Sequence, residues 1–187
     1  MAGLSKRTRQ IGASWTFGAV AAITAIVLAT ILHITADCDG ISVANLPLQQ
    51  AWTAAQASSI VAGWHGCQSE AINQVLLDYL FIPAYVGLLV FFGLRSRRAA
   101  ERRGMPVLAC LAGLSAWGAL VAGLFDCLEN IGLIVMIGWE EPPPIVPFLT
   151  SLFSSVKFLL IAINLLVTLI TLAAVFIHWF LWREARA

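Results

Sequence analysis

The chain has 187 residues, 60% of them hydrophobic and 11% charged, with a formal net charge of +1. A soluble domain is about 45–50% apolar and about 25% charged, so this chain lacks the polar groups to cover a water-facing surface. A soluble enzyme is thereby excluded. The near-neutral charge speaks against nucleic acid as a partner, and the chain reads as an integral membrane protein.

The first element follows a short basic segment holding Lys6, Arg7 and Arg9. Its apolar run covers residues 14–35, longer than the ~7–15 residues of a cleaved signal core, and reads as an uncleaved anchor. "ITADC" fails as a lipoprotein signal because Asp37 stands where a small residue is needed. Residues 36–72 form a polar connector. Within it, "NLPLQQAWTAAQASSIVAGW" predicts a short helix over 47–62, with Pro47 in its first turn and Gly63 as its stop. Cys38 and Cys67 flank this stretch. Their pairing would close a loop worth about 3–4 kcal/mol of chain entropy in an oxidising compartment.

A second apolar run covers 73–94, broken only by Asp78 and by Pro83, which should kink the helix. A basic loop over 95–104 follows. The third run covers 106–137 and carries Cys110 and Cys127, which lack the C-x-x-C spacing of a redox or metal motif. "WEEPPPIVP" makes 138–147 a stiff connector, and the fourth run covers 148–182. Each run meets the ~20 residues that a spanning helix needs. With no water in hydrocarbon to satisfy backbone groups, helices are the remaining solution. The expected fold is an all-α, four-helix membrane bundle in one domain, with a short external helix between the first two spans.

Basic residues set the expected orientation. Arg95, Arg97, Arg98, Arg102 and Arg103 lie between spans two and three, Arg183 and Arg186 follow the last, and none occurs from Ile11 to Leu94. The positive-inside rule places both termini and the 95–104 loop in the cytoplasm, with 36–72 and 138–147 outside. The five loop arginines also form a surface for anionic lipid. Trp52, Trp64 and Trp139 would mark the outer interface, Trp15, Trp179 and Trp182 the inner one, and Trp117 would pack mid-helix. The alanine-rich, arginine-biased composition fits a bacterial inner membrane, with a eukaryotic endomembrane of the same topology as the alternative.

Polar groups inside the spans are the functional signal, because a charge facing lipid costs at least a few kcal/mol. At ~1.5 Å per residue, Asp78 lies about 26 Å from Arg95. By the same rise Asp126 and Glu129 lie about 35 and 39 Å from Arg103, and Lys157 about 39 Å from Arg183. All belong to the outer third of the membrane. Gln74, Asp78 and Tyr85 share one helix stripe; Asp126, Glu129 and Asn130 share a second; Thr150, Ser154, Lys157 and Asn164 share a third. The three stripes should face one another. Gly113, Ala116 and Gly123 would let the third helix approach its neighbours closely.

Three acids then meet one lysine, leaving a carboxylate that needs a proton, a cation, a ligand amine or water. The candidate ligand-binding residues are Asp78, Tyr85, Asp126, Glu129, Asn130, Ser154 and Lys157. If the site is catalytic, Asp78, Glu129 and Lys157 are the groups able to move a proton. Ser154 and Lys157 also have the Ser-x-x-Lys spacing of a nucleophile pair, but two nearby acids would keep the amine charged. His33 and His178 lie at opposite membrane faces and cannot share a metal or haem, and His65, beside Cys67 in the external segment, reads as a solvated histidine. No zinc, di-iron, P-loop or dinucleotide motif occurs, so neither metal nor cofactor is expected.

Four helices with carboxylates around "DYLFIPAY" and "LFDCLEN" resemble EXPERA-domain proteins, which include sterol isomerases. The resemblance is one of helix count and acid placement. Three functions stand open at this level. The first is a pocket near the outer leaflet that binds or transforms a lipid-like or cationic small molecule. The second is an accessory subunit docking partner membrane chains. The third is a proton or ion pathway, which the sequence favours least because nothing charged continues inward below Asp78.

Overall fold

Leu48, Trp64, Val75, Leu133 and Met136 form the apolar cluster on which one end of the molecule is built. In the computed structural model of the protein, the described residues are 18–20, 22–24, 26–31, 37–38, 40–64 and 66–184. Helix α1 covers Gly18–Ile31. A two-residue antiparallel ladder follows, β1 (Asp37–Cys38) with β2 (Ile41–Ser42), and then α2 (Leu46–Gln49), α3 (Ala54–Ala62), α4 (Gln68–Glu101), α5 (Pro106–Gly138) and α6 (Ile145–Glu184).

Three helices, α4, α5 and α6, are long and apolar enough to cross a membrane. The described part of the first expected span, α1, is shorter, and the rest of 14–35 lies outside the described residues. His33, His65, Trp15 and the first basic segment lie outside them too.

Helix α4 runs beyond its apolar stretch at both ends. It begins in the expected 36–72 connector and carries Arg95, Arg97 and Arg98 on its last turns. The turn to α5 is thereby reduced to a few residues around Gly104, whose φ of +67° suits glycine. Pro106 then opens α5, where its missing N–H is harmless. Pro83 sits inside α4, which continues through it. The proline-rich connector is shorter than expected because α6 already begins at Ile145 and includes Pro147.

The expected single helix over 47–62 is two pieces, α2 and α3, separated at Gln50–Thr53. Thr53 caps α3 by accepting the Gln56 amide at 3.2 Å. A Cys38–Cys67 disulfide ties β1 to the start of α4, as expected. Together β1, β2, α2 and α3 cap the ends of α4, α5 and α6. Val43, Leu48, Ala57 and Trp64 pack there on Ala71, Val75, Leu133, Met136 and Ile137. Trp64, expected at the membrane interface, is instead a core residue of this cap. Trp52 and Trp139 are exposed on its rim, and Trp52 stacks edge-on against Phe148. Trp117, expected to pack, points outward and is 69% exposed.

Helix α5 is central. It packs along both α4 and α6, which touch each other less. Small residues set the spacing. Gly93 lies against Ala116 and the Ala112 carbonyl, Gly123 against Val86, and Gly132 against Thr150. Between the spans the buried positions are chiefly alanine, glycine and polar residues, while the bulky cluster lies in the cap.

Candidate functional site

The polar groups of α4, α5 and α6 meet one to three turns below the cap. Asp126, Glu129 and Asn130 are buried on α5, within 2% of full occlusion, and Lys157 on α6 is 5% exposed. The Lys157 ammonium lies 2.9 Å from Asp126 Oδ1 and 2.7 Å from Glu129 Oε2. It donates a hydrogen bond to Asp126. The contact to Glu129 is an ion pair through Oε2; Glu129 Oε1 has no hydrogen-bond partner among the described residues.

Helix α4 completes the cluster. The Tyr85 hydroxyl donates to Asp126 Oδ2 at 2.7 Å, so both oxygens of Asp126 are engaged. The Asn130 amide donates to Asp78 Oδ2 at 2.9 Å. Among the described residues no cation forms an ion pair with Asp78. Lys157 also lies over the Phe158 ring, 4.7 Å from its centroid, a favourable placement for a desolvated cation.

Local sequence explains the convergence. Residues 126, 129 and 130 occupy one face of α5, and Asp78 and Tyr85 are two turns apart on α4. Gly132, one turn above Glu129, permits the close α5–α6 approach that brings the acid to Lys157.

Beside the cluster is a cavity of about 360 Å³ between α4 and α6, with α5 as its floor. Asp78, Tyr85, Asp126 and Lys157 line it. Glu129, Asn130 and Ser154 do not; they are buried behind it, Asn130 against Asp78 of α4 and Glu129 against Lys157 of α6. The remaining walls are Phe81, Leu88, Leu89, Phe158 and Ile161, and Gln49 from α2 stands at the capped end. Phe81 lies three residues after Asp78, and Phe158 adjoins Lys157, so both could have been inferred from helix periodicity. Gln49 could not, because nothing local shows that α2 folds over the bundle.

The Ser154–Lys157 pair does not form. Ser154 Oγ has no partner among the described residues, while the ammonium is taken by the two acids. What the site presents is an amphipathic recess: aromatic and aliphatic walls, a phenol, and more carboxylates than amines. No protein-family model, curated protein or solved structure matches this chain.

Proposed function

We propose that this membrane protein binds a small cationic amphiphile in the recess beside Asp78. Charge balance carries the reading. Lys157 answers Asp126 and Glu129, and among the described residues Asp78 on the cavity wall is met only by the Asn130 amide. A protonated amine is the ligand group that would complete it. The apolar walls at Phe81, Leu88, Leu89 and Ile161 suit a hydrocarbon or ring body, and the volume lies in the lower part of the range for small-molecule sites, ~300–1,000 Å³.

The orientation belongs to the same proposal. The disulfide sits at the end of α4 opposite the arginine turn, so an oxidising exterior and a positive interior call for the same topology. In that orientation the recess faces the outer leaflet of a bacterial inner membrane, with both termini cytoplasmic. Arg95, Arg98 and Arg102 then face anionic headgroups. Counted with α1, the chain would be a four-helix bundle.

The test is thermal unfolding of detergent-purified protein with a long-chain primary amine, against an alcohol of equal chain length. A ligand at about one hundred times its Kd stabilises by ~2.7 kcal/mol, a rise of several degrees. The amine should give that rise and the alcohol should not, and Asp78→Asn should abolish it. Equal shifts from amine and alcohol, or an undiminished shift in Asp78→Asn, would refute the proposal.

A further inference from the structure

Helix α6 carries a second feature that amine binding leaves unused. Thr150, Ser154, Lys157, Ile161, Asn164, Thr168, Thr171, Val175 and His178 follow one another at alternating spacings of four and three, which is one helix face. All but two of these positions are polar. In a membrane helix such residues ordinarily turn toward a neighbour and hydrogen-bond across to it. Here Ser154, Asn164, Thr168 and Thr171 are buried, and Lys157 to His178 spans about 32 Å at ~1.5 Å per residue, the thickness of a hydrocarbon core.

The neighbouring helices add polar groups at matching levels. Asn164 donates to the Ser115 carbonyl at 2.7 Å, and the Ser115 hydroxyl donates to the Ala112 carbonyl. Gly93 and Arg97 of α4 lie against Ala112, Gly113 and Ala116, which brings Ser96 to the level of Ala112. Thr168, one turn beyond Asn164, falls at that level as well.

Several of these groups are unsatisfied by protein. Ser154 Oγ, Asn164 Oδ1, Thr168 Oγ1 and Ser96 Oγ have no hydrogen-bond partner among the described residues, and all are more than nine-tenths buried. Buried polar atoms almost always have a protein or water partner, so oxygens like these, repeated turn after turn, call for water. Ile161 is the one apolar layer between Lys157 and Asn164, and the 360 Å³ cavity reaches it from the Lys157 side.

Both ends of the row are titratable. At the capped end are Asp78 and Tyr85 of α4, Asp126 and Glu129 of α5, and Lys157. At the other end is His178, whose Nδ1 lies 3.4 Å from the Arg103 guanidinium; Arg103 also donates to the Val175 carbonyl at 3.3 Å.

We propose that this row is a hydrated proton pathway joining the Lys157–carboxylate cluster to His178. A proton taken up by a carboxylate at one end is passed to water. Each Ser or Thr hydroxyl and each water then accepts one proton and releases another, and the last water, beside His178, gives its proton to solvent. The Asn164 amide orients water and stays chemically unchanged. Lys157, fixed between two acids, repels metal cations entering from the capped end, whereas a proton relay needs no ion to pass it. The sequence favoured this function least for want of inward charge; uncharged groups suffice once they are buried in line and hydrated.

The test uses the full chain in liposomes carrying a potassium gradient with valinomycin, with proton uptake followed by an entrapped pH dye. Wild-type liposomes should take up protons faster than protein-free ones. Thr168→Val, which removes a hydroxyl with no hydrogen-bond partner among the described residues, should slow uptake by about tenfold, the effect of ~1.4 kcal/mol on one step. Its thermal unfolding and amine binding should match wild type, and Ser96→Ala provides a second variant of the same kind. Uptake no faster than in protein-free liposomes, or uptake unchanged in both variants, would overturn the proposal. Amine binding rests on other residues and would survive that failure.

Discussion

Lys157→Met is the substitution that the site answers most directly. Methionine keeps much of the aliphatic stem but removes the ammonium that touches Asp126 and Glu129 at 2.9 and 2.7 Å. Asp126 would keep the Tyr85 hydroxyl, whereas Glu129 would keep no hydrogen bond at all. Removing one partner of a buried pair costs about 3–5 kcal/mol because an uncompensated charge is left behind. The two pairs share one ammonium and do not add, so about 4 kcal/mol is the expected loss. At roughly 2–4 °C per kcal/mol for a chain of this size, the unfolding midpoint in detergent should fall by some 8–16 °C.

The control is Leu159→Ala, two residues away on a face that is 59% exposed, where little packing is lost. Lys157→Met combined with Asp126→Asn and Glu129→Gln should recover at least half of the loss, since the stranded charges are gone. A fall for Lys157→Met no larger than for Leu159→Ala would refute the reasoning. So would a triple variant no more stable than the single one.

Three further outcomes are expected in the same unfolding assay. Gly132→Ala places a Cβ into the Thr150 side chain; overpacking of this kind costs about 1–3 kcal/mol, and Gly118→Ala, where the nearest side chain is 3.9 Å away, should be tolerated. Tyr85→Phe removes a 2.7 Å donor to Asp126, for a loss of about 1.5–3 kcal/mol as a hydrogen bond to a charged group. Reduction of the Cys38–Cys67 bridge, which spans 29 residues, should cost about 3–4 kcal/mol; Cys38→Ser should show the same midpoint with and without reductant.

Composition and periodicity alone made this a helical membrane chain, because apolar content of this degree has no soluble solution and backbone groups in lipid must bond within their own helix. The convergence of Asp126, Glu129 and Lys157 was legible too. Helix rise gives each residue a height, and the cost of a charge facing lipid gives it a direction. The cysteine pairing followed from two thiols flanking one polar connector. All of these rest on rules local to a helix or on a solvent boundary.

Tertiary packing decided the rest. The height and stripe of Glu129, Asn130 and Ser154 match those of the recess residues, yet these three are buried between the helices behind it, while Gln49 arrives at the recess from a distant segment. Trp64 looks interfacial in sequence and becomes core because α3 folds back over Leu133 and Met136. The polar face of α6 is visible as spacing, but only the neighbouring helices show that Ser154, Asn164 and Thr168 are shut away from lipid with oxygens unpaired. Periodicity places a residue on its own helix; which side of that helix meets a neighbour, and how closely, depends on side chains far away in the chain.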